Sequence, residues 1–377
     1  MVAVQKGPSP EIRNRGNQRN NAFNFLIKNK NPIMLAVSLV SIIHMIAPML
    51  SSHPSLKKKI PKPHHQVSRE SKLPRRWCML TKDNVPKHNK WFGTIEHFPH
   101  TLEWFADCWN YLQEESKFEG ADVKGGFIID EHVKKKLQKK YWNRAFFPAM
   151  KFPVMIHRND TEKDEPLDYN LITTKYYEGG WFQRSDICAS FRERLWRNLD
   201  VYPQKHNKKA RRIGILNRNE SRAIMDIGRL TKELKKHYKN AHVDVRAFDS
   251  EYDLKKEEDT MQMQARWFAD KDLIIMAHGA AMSNVIFMKP GSAVLELYPQ
   301  YYFNDMFWEL MAQCGIYHSW YYDGNRTEKY TQDLAQQETD REWSNRMKNK
   351  KKNINYDWNQ IHSIISLLLK AVDATGR

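Results

Sequence analysis

Along the second half of the chain, short apolar runs alternate with longer stretches in which apolar residues return every three or four positions. The runs at residues 213–216, 243–248, 273–276 and 293–297 have the length and aliphatic content of buried strands. Residues 221–238 and 257–270 between them carry helical spacing. Parallel strands need a crossover that covers a sheet face, so this alternation predicts a parallel, doubly wound sheet with right-handed connections. The first half is more mixed. Leu102, Trp104, Phe105, Cys108, Trp109 and Leu112 predict a helix over 101–114, residues 126–129 a strand ending at Asp130, and residues 131–141 a further helix. A strand at 152–156 and an amphipathic helix at 190–199 follow. Near the end, Ile361, Ile364, Ile365, Leu368 and Leu369 place one apolar face on a helix over 355–372.

The first 76 residues break with this pattern. Residues 31–56 contain no Asp, Glu, Lys or Arg, and residues 33–50 are mostly apolar, long enough to cross a hydrocarbon core of roughly 30 Å as a helix. The reading is a basic tail at 1–30, a transmembrane anchor at 31–52 and a Pro- and Lys-containing stem at 53–76. A cleaved signal peptide and a buried core helix are the alternatives. The body divides into a first α/β domain at 77–205, a second at 206–340, and a loop and helix at 341–377.

Charge follows the same division. The formal charge of +17 suggests nucleic acid at first, but residues 1–76 hold 14 Lys and Arg against Glu11 and Glu70. A basic tail beside a nearly balanced body fits a membrane-flanking segment, and nucleic acid is not the expected partner. An anchor without a second span puts the body in the secretory lumen. The triplets beginning at Asn159, Asn219 and Asn325 fit N-glycosylation there. Cys78, Cys108, Cys188 and Cys314 allow one or two disulfides of undetermined pairing, or four buried thiols.

Candidate chemistry concentrates at residues 272–299, DLIIMAHGAAMSNVIFMKPGSAVLELYP. A strand leads into His278, Gly279, Ala280 and Ala281, where a helix begins with almost no side-chain bulk. Exposed N–H groups at a helix start suit a phosphate. Pro290-Gly291 ends that helix, and Glu296 sits near the C-terminal edge of the next strand, placed to accept from ribose hydroxyls. The series HGAAMSN…PGSAVLELYP resembles the C-terminal half of the family 61 glycosyltransferases, with Met282, Ser283 and Asn284 in the apolar, hydroxyl and amide places after HGA. The resemblance implies a GT-B-like architecture of two Rossmann-like domains facing a cleft, with a final helix that crosses back onto the first domain.

Transfer from a nucleotide sugar requires charge stabilisation for the leaving diphosphate, a base for the acceptor hydroxyl, and a surface that aligns both substrates. The family pattern of a strand, an Arg, a few polar residues and another Arg matches Arg218 and Arg222, whose planar forks suit phosphate oxygens. Together with His278, Gly279, Ala280, Asn284 and Glu296 they form the expected donor set. His97 and His100, at the start of the first domain's helix, are the candidate bases, His100 first, with Glu103 and Asp130 in reserve. Asp270-Lys271-Asp272 precedes its strand and reads as a connector, so no metal ligand motif is found; a cofactor is not required, although a divalent cation remains possible. No GxGxxG loop or P-loop is present. The expectation is a single-pass type II Golgi or endoplasmic reticulum enzyme that moves a sugar from a UDP-sugar to a glycan or protein acceptor with inversion. Alternatives are a Rossmann-type nucleotide-binding protein of other chemistry and an inactive glycosyltransferase-like binding protein.

Overall fold

The computed structural model describes residues 76–80, 98–113, 119–139, 141–157, 169–171, 181–207, 209–218, 221–248, 257–300, 302–323 and 348–375. The basic tail, the expected anchor, the stem up to residue 75 and the three sequon asparagines lie outside them. Among the described residues, no helix is long and apolar enough to cross a membrane.

The first sheet contains β1 (Arg76–Leu80), β2 (Gly125–Ile129), β3 (Val154–Ile156) and β4 (Tyr169–Leu171), all parallel, in the order β3-β2-β1-β4. Arg76, assigned to the stem on sequence, instead opens β1 opposite Gly125. Helix α1 (Phe98–Gln113) is tied to β1 by the Cys78–Cys108 disulfide. Residues 131–150 form two helices, α2 (Glu131–Gln138) and α3 (Tyr141–Met150), where one was expected. Asp130 caps α2, its carboxylate accepting from Val133 N at 2.7 Å. Helix α4 (Ser185–Asn198) closes this half, with Trp109 Nε1 of α1 donating to Ser190 Oγ.

The second sheet contains β5 (Arg212–Asn217), β6 (His242–Ala247), β7 (Leu273–Ala277), β8 (Ala293–Tyr298) and β9 (Tyr317–Tyr322), also all parallel, in the order β6-β5-β7-β8-β9. From β5 the chain passes through α5 (Ile227–His237) to β6 on one side, then through α6 (Glu257–Asp270) to β7 on the other. The winding therefore reverses between β5 and β7, where open α/β sheets form a crevice beyond their strand C-termini.

Alternate residues of each strand feed two cores. Ile213, Ile215, Leu273, Ile275, Leu295 and Leu297 pack with Leu230 and Leu234 of α5 and with Ile361, Ile365 and Leu368 of α8 (Trp358–Thr375). The final helix thus covers β8 and β9 of its own sheet rather than crossing to the first one. Its apolar face is spent on a sheet surface that α5 alone leaves uncovered. Leu216, Ile274, Met276 and Val294 on the opposite face join a larger core that runs continuously into the first half through α1, α3 and α4. The space between the two sheets is therefore packed along these helices, not open throughout.

Two local readings change. Helix α5 starts at Ile227, not near residue 221, because Asp226 in the left-handed region (φ 47°) caps it and leaves residues 218–226 as a loop. The segment after β7 is a 3₁₀ helix, Ala280–Phe287, in place of an α-helix. Its residues 282–287 are all buried, and the Val285-Ile286 pair brings β-branched crowding that disfavours an α-helix.

Candidate functional site

All strands of the second sheet end on one edge, and Arg218, Arg222, His278 and Gly279 meet there. Asn217 closes the loop after β5 on itself: its Oδ1 accepts from Ile224 N at 2.7 Å. The same loop is braced by a parallel bridge between Ile224 and Ile354, with Met225 N donating to Ile354 O and Ile354 N to Ala223 O, each at 2.9 Å. This bracing directs Arg218 and Arg222 toward the turn after β7. A Cβ placed on Gly279 would lie 2.9 Å from Arg218 Nη1 and 3.2 Å from Arg222 Nη1. Gly279 is extended, so what its lack of a side chain provides is room for two guanidinium groups.

Arg222 is the more constrained of the pair. It adopts φ 59°, is 7% exposed, and donates from Nη1 to the His278 carbonyl at 2.7 Å, while its buried Nε has no partner. Arg218 donates from Nε to Ser221 O at 2.8 Å. Among the described residues no carboxylate forms an ion pair with Arg222. Burial, and after it the neighbouring Arg218, pushes its pKa down to about 10, so it remains a cation at neutral pH. A nearly buried cation facing a second cation is costly unless an anion joins them.

The His278 ring is 3% exposed and stacks on Tyr298 with centroids 5.3 Å apart, with Tyr302 and Phe307 tilted against it. Its Nδ1 bonds Glu296 Oε1 at 2.6 Å, and His318 Nε2 bonds Glu296 Oε2 at 2.9 Å. Glu296 is therefore not placed as expected. Its carboxylate is fully buried and both oxygens meet imidazoles, so it anchors histidines and does not face ribose hydroxyls. Burial raises its pKa, but the bonds from His278 and His318 outweigh that and hold it at about 2.

Asn284 also departs from expectation. It is 2% exposed and donates from Nδ2 to Gln264 Oε1 of α6 at 3.2 Å, which takes its amide into the core. The 3₁₀ geometry turns position 284 inward. Ala280 stays half-exposed at the segment's start, where the first internal bond runs from Met282 N to Gly279 O. His97 lies outside the described residues, as does the side chain of His100, whose backbone is in the first turn of α1. Helix α1 packs against the 3₁₀ segment. Glu103 is half-buried on the same helix.

Asp270 ends α6, and Asp272 lies at the opposite edge of the sheet, fully buried, accepting from Arg212 N at 2.9 Å and Lys289 Nζ at 2.9 Å and bonded to His206 at 2.7 Å. That pair is a structural connector. Among the described residues no group of three or more His, Cys, Asp or Glu is gathered for a metal ion.

Sequence reasoning missed His318 and Asn217. Asn217 directly follows the predicted strand at 213–216, where a side-chain amide is a recognisable loop brace. His318 lies on β9, YHSWYY, which has no alternation to mark it as a strand. The family model described as Glycosyltransferase 61 matches residues 170–295, from β4 into β8. No curated protein matches the chain.

Proposed function

We propose that this chain, a glycosyltransferase by the family 61 match over residues 170–295, takes its sugar from a UDP-sugar at the crevice between the loops after β5 and β7. The observation that carries this reading is the convergence of Arg218 and Arg222 on Gly279, with Arg222 nearly buried and meeting no carboxylate among the described residues. A diphosphate supplies the missing negative charge, and two guanidinium forks with the first amides of the 3₁₀ segment meet its oxygens. Departure of UDP concentrates charge on the β-phosphate, and fixed cations in a dry site stabilise that charge more than they would in water. Arg218, Arg222, His278, Gly279 and Ala280 form the donor side in this reading.

The acceptor hydroxyl oxygen forms the new bond to the anomeric carbon as the bond from that carbon to the β-phosphate oxygen breaks. The electron pair leaves with UDP, and the hydroxyl proton passes to the imidazole of His100. In-line displacement inverts the anomeric centre. The packing of α1 on the 3₁₀ segment favours a base from this helix. Two parallel α/β sheets with the site at strand C-termini support a GT-B arrangement. The Cys78–Cys108 and Cys188–Cys314 disulfides support a lumenal, oxidising setting behind an anchor at 31–52. The acceptor is a glycan or glycoprotein.

UDP release from a panel of UDP-sugars by the purified full chain tests the donor. Arg222→Ala is expected to lower release by more than tenfold, about 1.4 kcal/mol of transition-state stabilisation; a smaller loss removes Arg222 from leaving-group stabilisation. His100→Gln is expected to cut turnover by about 10²-fold or more with UDP affinity retained. Near-normal turnover in that variant would exclude His100 as the base.

A further inference from the structure

Glu296 has no exposed surface, and a buried carboxylate is tolerated only where its lone pairs are met by donors. One donor, His278, comes from the site itself; the other, His318, comes from β9, the edge strand of the sheet. Register explains how it reaches. His318 pairs with Val294 and Trp320 with Glu296, so His318 and Glu296 lie on one sheet face, offset by two residues.

Through these bonds a continuous chain runs from the sheet edge to the anion crevice. His318 Nε2 holds Glu296 Oε2, Glu296 Oε1 holds His278 Nδ1, and the His278 carbonyl accepts from Arg222 Nη1. The His278 ring cannot turn freely, because Tyr298 lies flat against it and Phe307 and Tyr302 close its sides. Among the described residues, the other charged or titratable groups at this chain are Tyr298 of β8, Tyr302 of the loop that follows, and Arg218 beside Arg222. The Tyr298 hydroxyl also faces Glu296, but its proton goes to Asn304 O, so it does not take over the hydrogen bond that His318 gives to Glu296 Oε2.

We propose that His318 is a positioning residue for the sugar donor: acting through Glu296 and His278, it fixes where Arg222 meets the bound diphosphate. This rests on the donor-site reading above. The role requires a donor nitrogen at the place of Nε2, not an imidazole as such, and that distinguishes it from simple packing beside Trp308, which lies 5.6 Å from the His318 ring.

The test is UDP binding by calorimetry and donor kinetics on the purified full chain. His318→Leu leaves Glu296 Oε2 unmet; the UDP dissociation constant and the donor KM are expected to rise about tenfold, with kcat less affected. His318→Gln, whose amide nitrogen reaches the place of Nε2, is expected to recover both to within about threefold of wild type. If His318→Leu does not fold, His318→Asn, too short to reach Glu296, carries the same expected loss. UDP affinity within threefold of wild type in the Leu or Asn variant overturns the proposal, as does an equal loss in the Gln variant. If wild type itself does not bind UDP, the donor-site reading falls, and this inference with it; UDP binding that is indifferent to His318 sinks the inference alone.

Discussion

Arg222 combines a left-handed backbone (φ 59°) with a buried guanidinium whose Nε lacks a partner, two features that cost stability and suit an anion site. Its bond to the His278 carbonyl contributes about 1 kcal/mol. Loss of that bond in Arg222→Ala is offset by removal of the buried cation, so the melting temperature should move by only about a few degrees while UDP release falls. Glu296 works in the opposite sense. Its folded pKa, about 2, lies below the usual 4.5, so its contribution to stability is complete above the unfolded value and is lost as pH falls through the folded one. Asp272, also held at about 2 against burial by His206, Arg212 N and Lys289, behaves alike at the far edge of the sheet. Thermal melts should therefore lose stability progressively from about pH 4.5 toward pH 2, and Glu296→Gln should flatten that slope. An unchanged slope in the variant would show that Glu296 is not ionised in the fold. Gly279 was legible from the small-residue turn after a predicted strand, a local signal, whereas Arg218 and Arg222 were legible only through the family resemblance, since two arginines in a loop of a basic protein otherwise read as solvated surface. The true partners of Glu296 were not legible, since they depend on which strand lies alongside β8.

Helix α4 shows why some elements resist sequence reading. Its amphipathic pattern was visible, but not that one of its faces serves the second sheet. Arg192, fully buried, donates to Ile286 O at 2.9 Å and Cys314 O at 2.6 Å, and Trp196 Nε1 donates to Phe287 O at 2.9 Å. Those carbonyls lie at the end of the 3₁₀ segment and just after α7 (Trp308–Gln313). Cys188–Cys314 adds a covalent tie at the same place. Burial presses the pKa of Arg192 down to about 9, and the guanidinium is spent on capping carbonyls. The disulfide closes a separation of 126 residues, so replacing both cysteines with Ala should destabilise the protein by about 3 to 5 kcal/mol. A thermal or urea melt measures this, and a loss below about 1 kcal/mol would show that Arg192 and Trp196 hold α4 unaided. By contrast, α6 was read over its observed range because its signals are local. The 3₁₀ segment and the late start of α5 were misread because full burial and a left-handed Asp226 cap override helical periodicity.

At the scale of the whole molecule, the remaining question is how the second body of the chain, residues 72–377, is held at its place of action. Two physical routes lead from the first 76 residues to a membrane. In the anchored reading their 14 Lys and Arg would attract anionic headgroups electrostatically, and residues 33–50 would insert into hydrocarbon. The routes respond differently to alkali. At about pH 11 most of the eight lysines lose their charge, their unperturbed pKa being about 10.4, and about 1 M salt in the carbonate screens the six arginines, which stay charged, so headgroup attraction fails, whereas burial of an apolar helix is not weakened by pH or salt. The full chain should therefore stay in the membrane pellet after alkaline carbonate, while a chain with residues 33–50 deleted, its basic residues intact, should pass to the supernatant. Release of the full chain would leave charge as the only tether. Retention of both forms would move the membrane contact into the body itself, where no described helix can span.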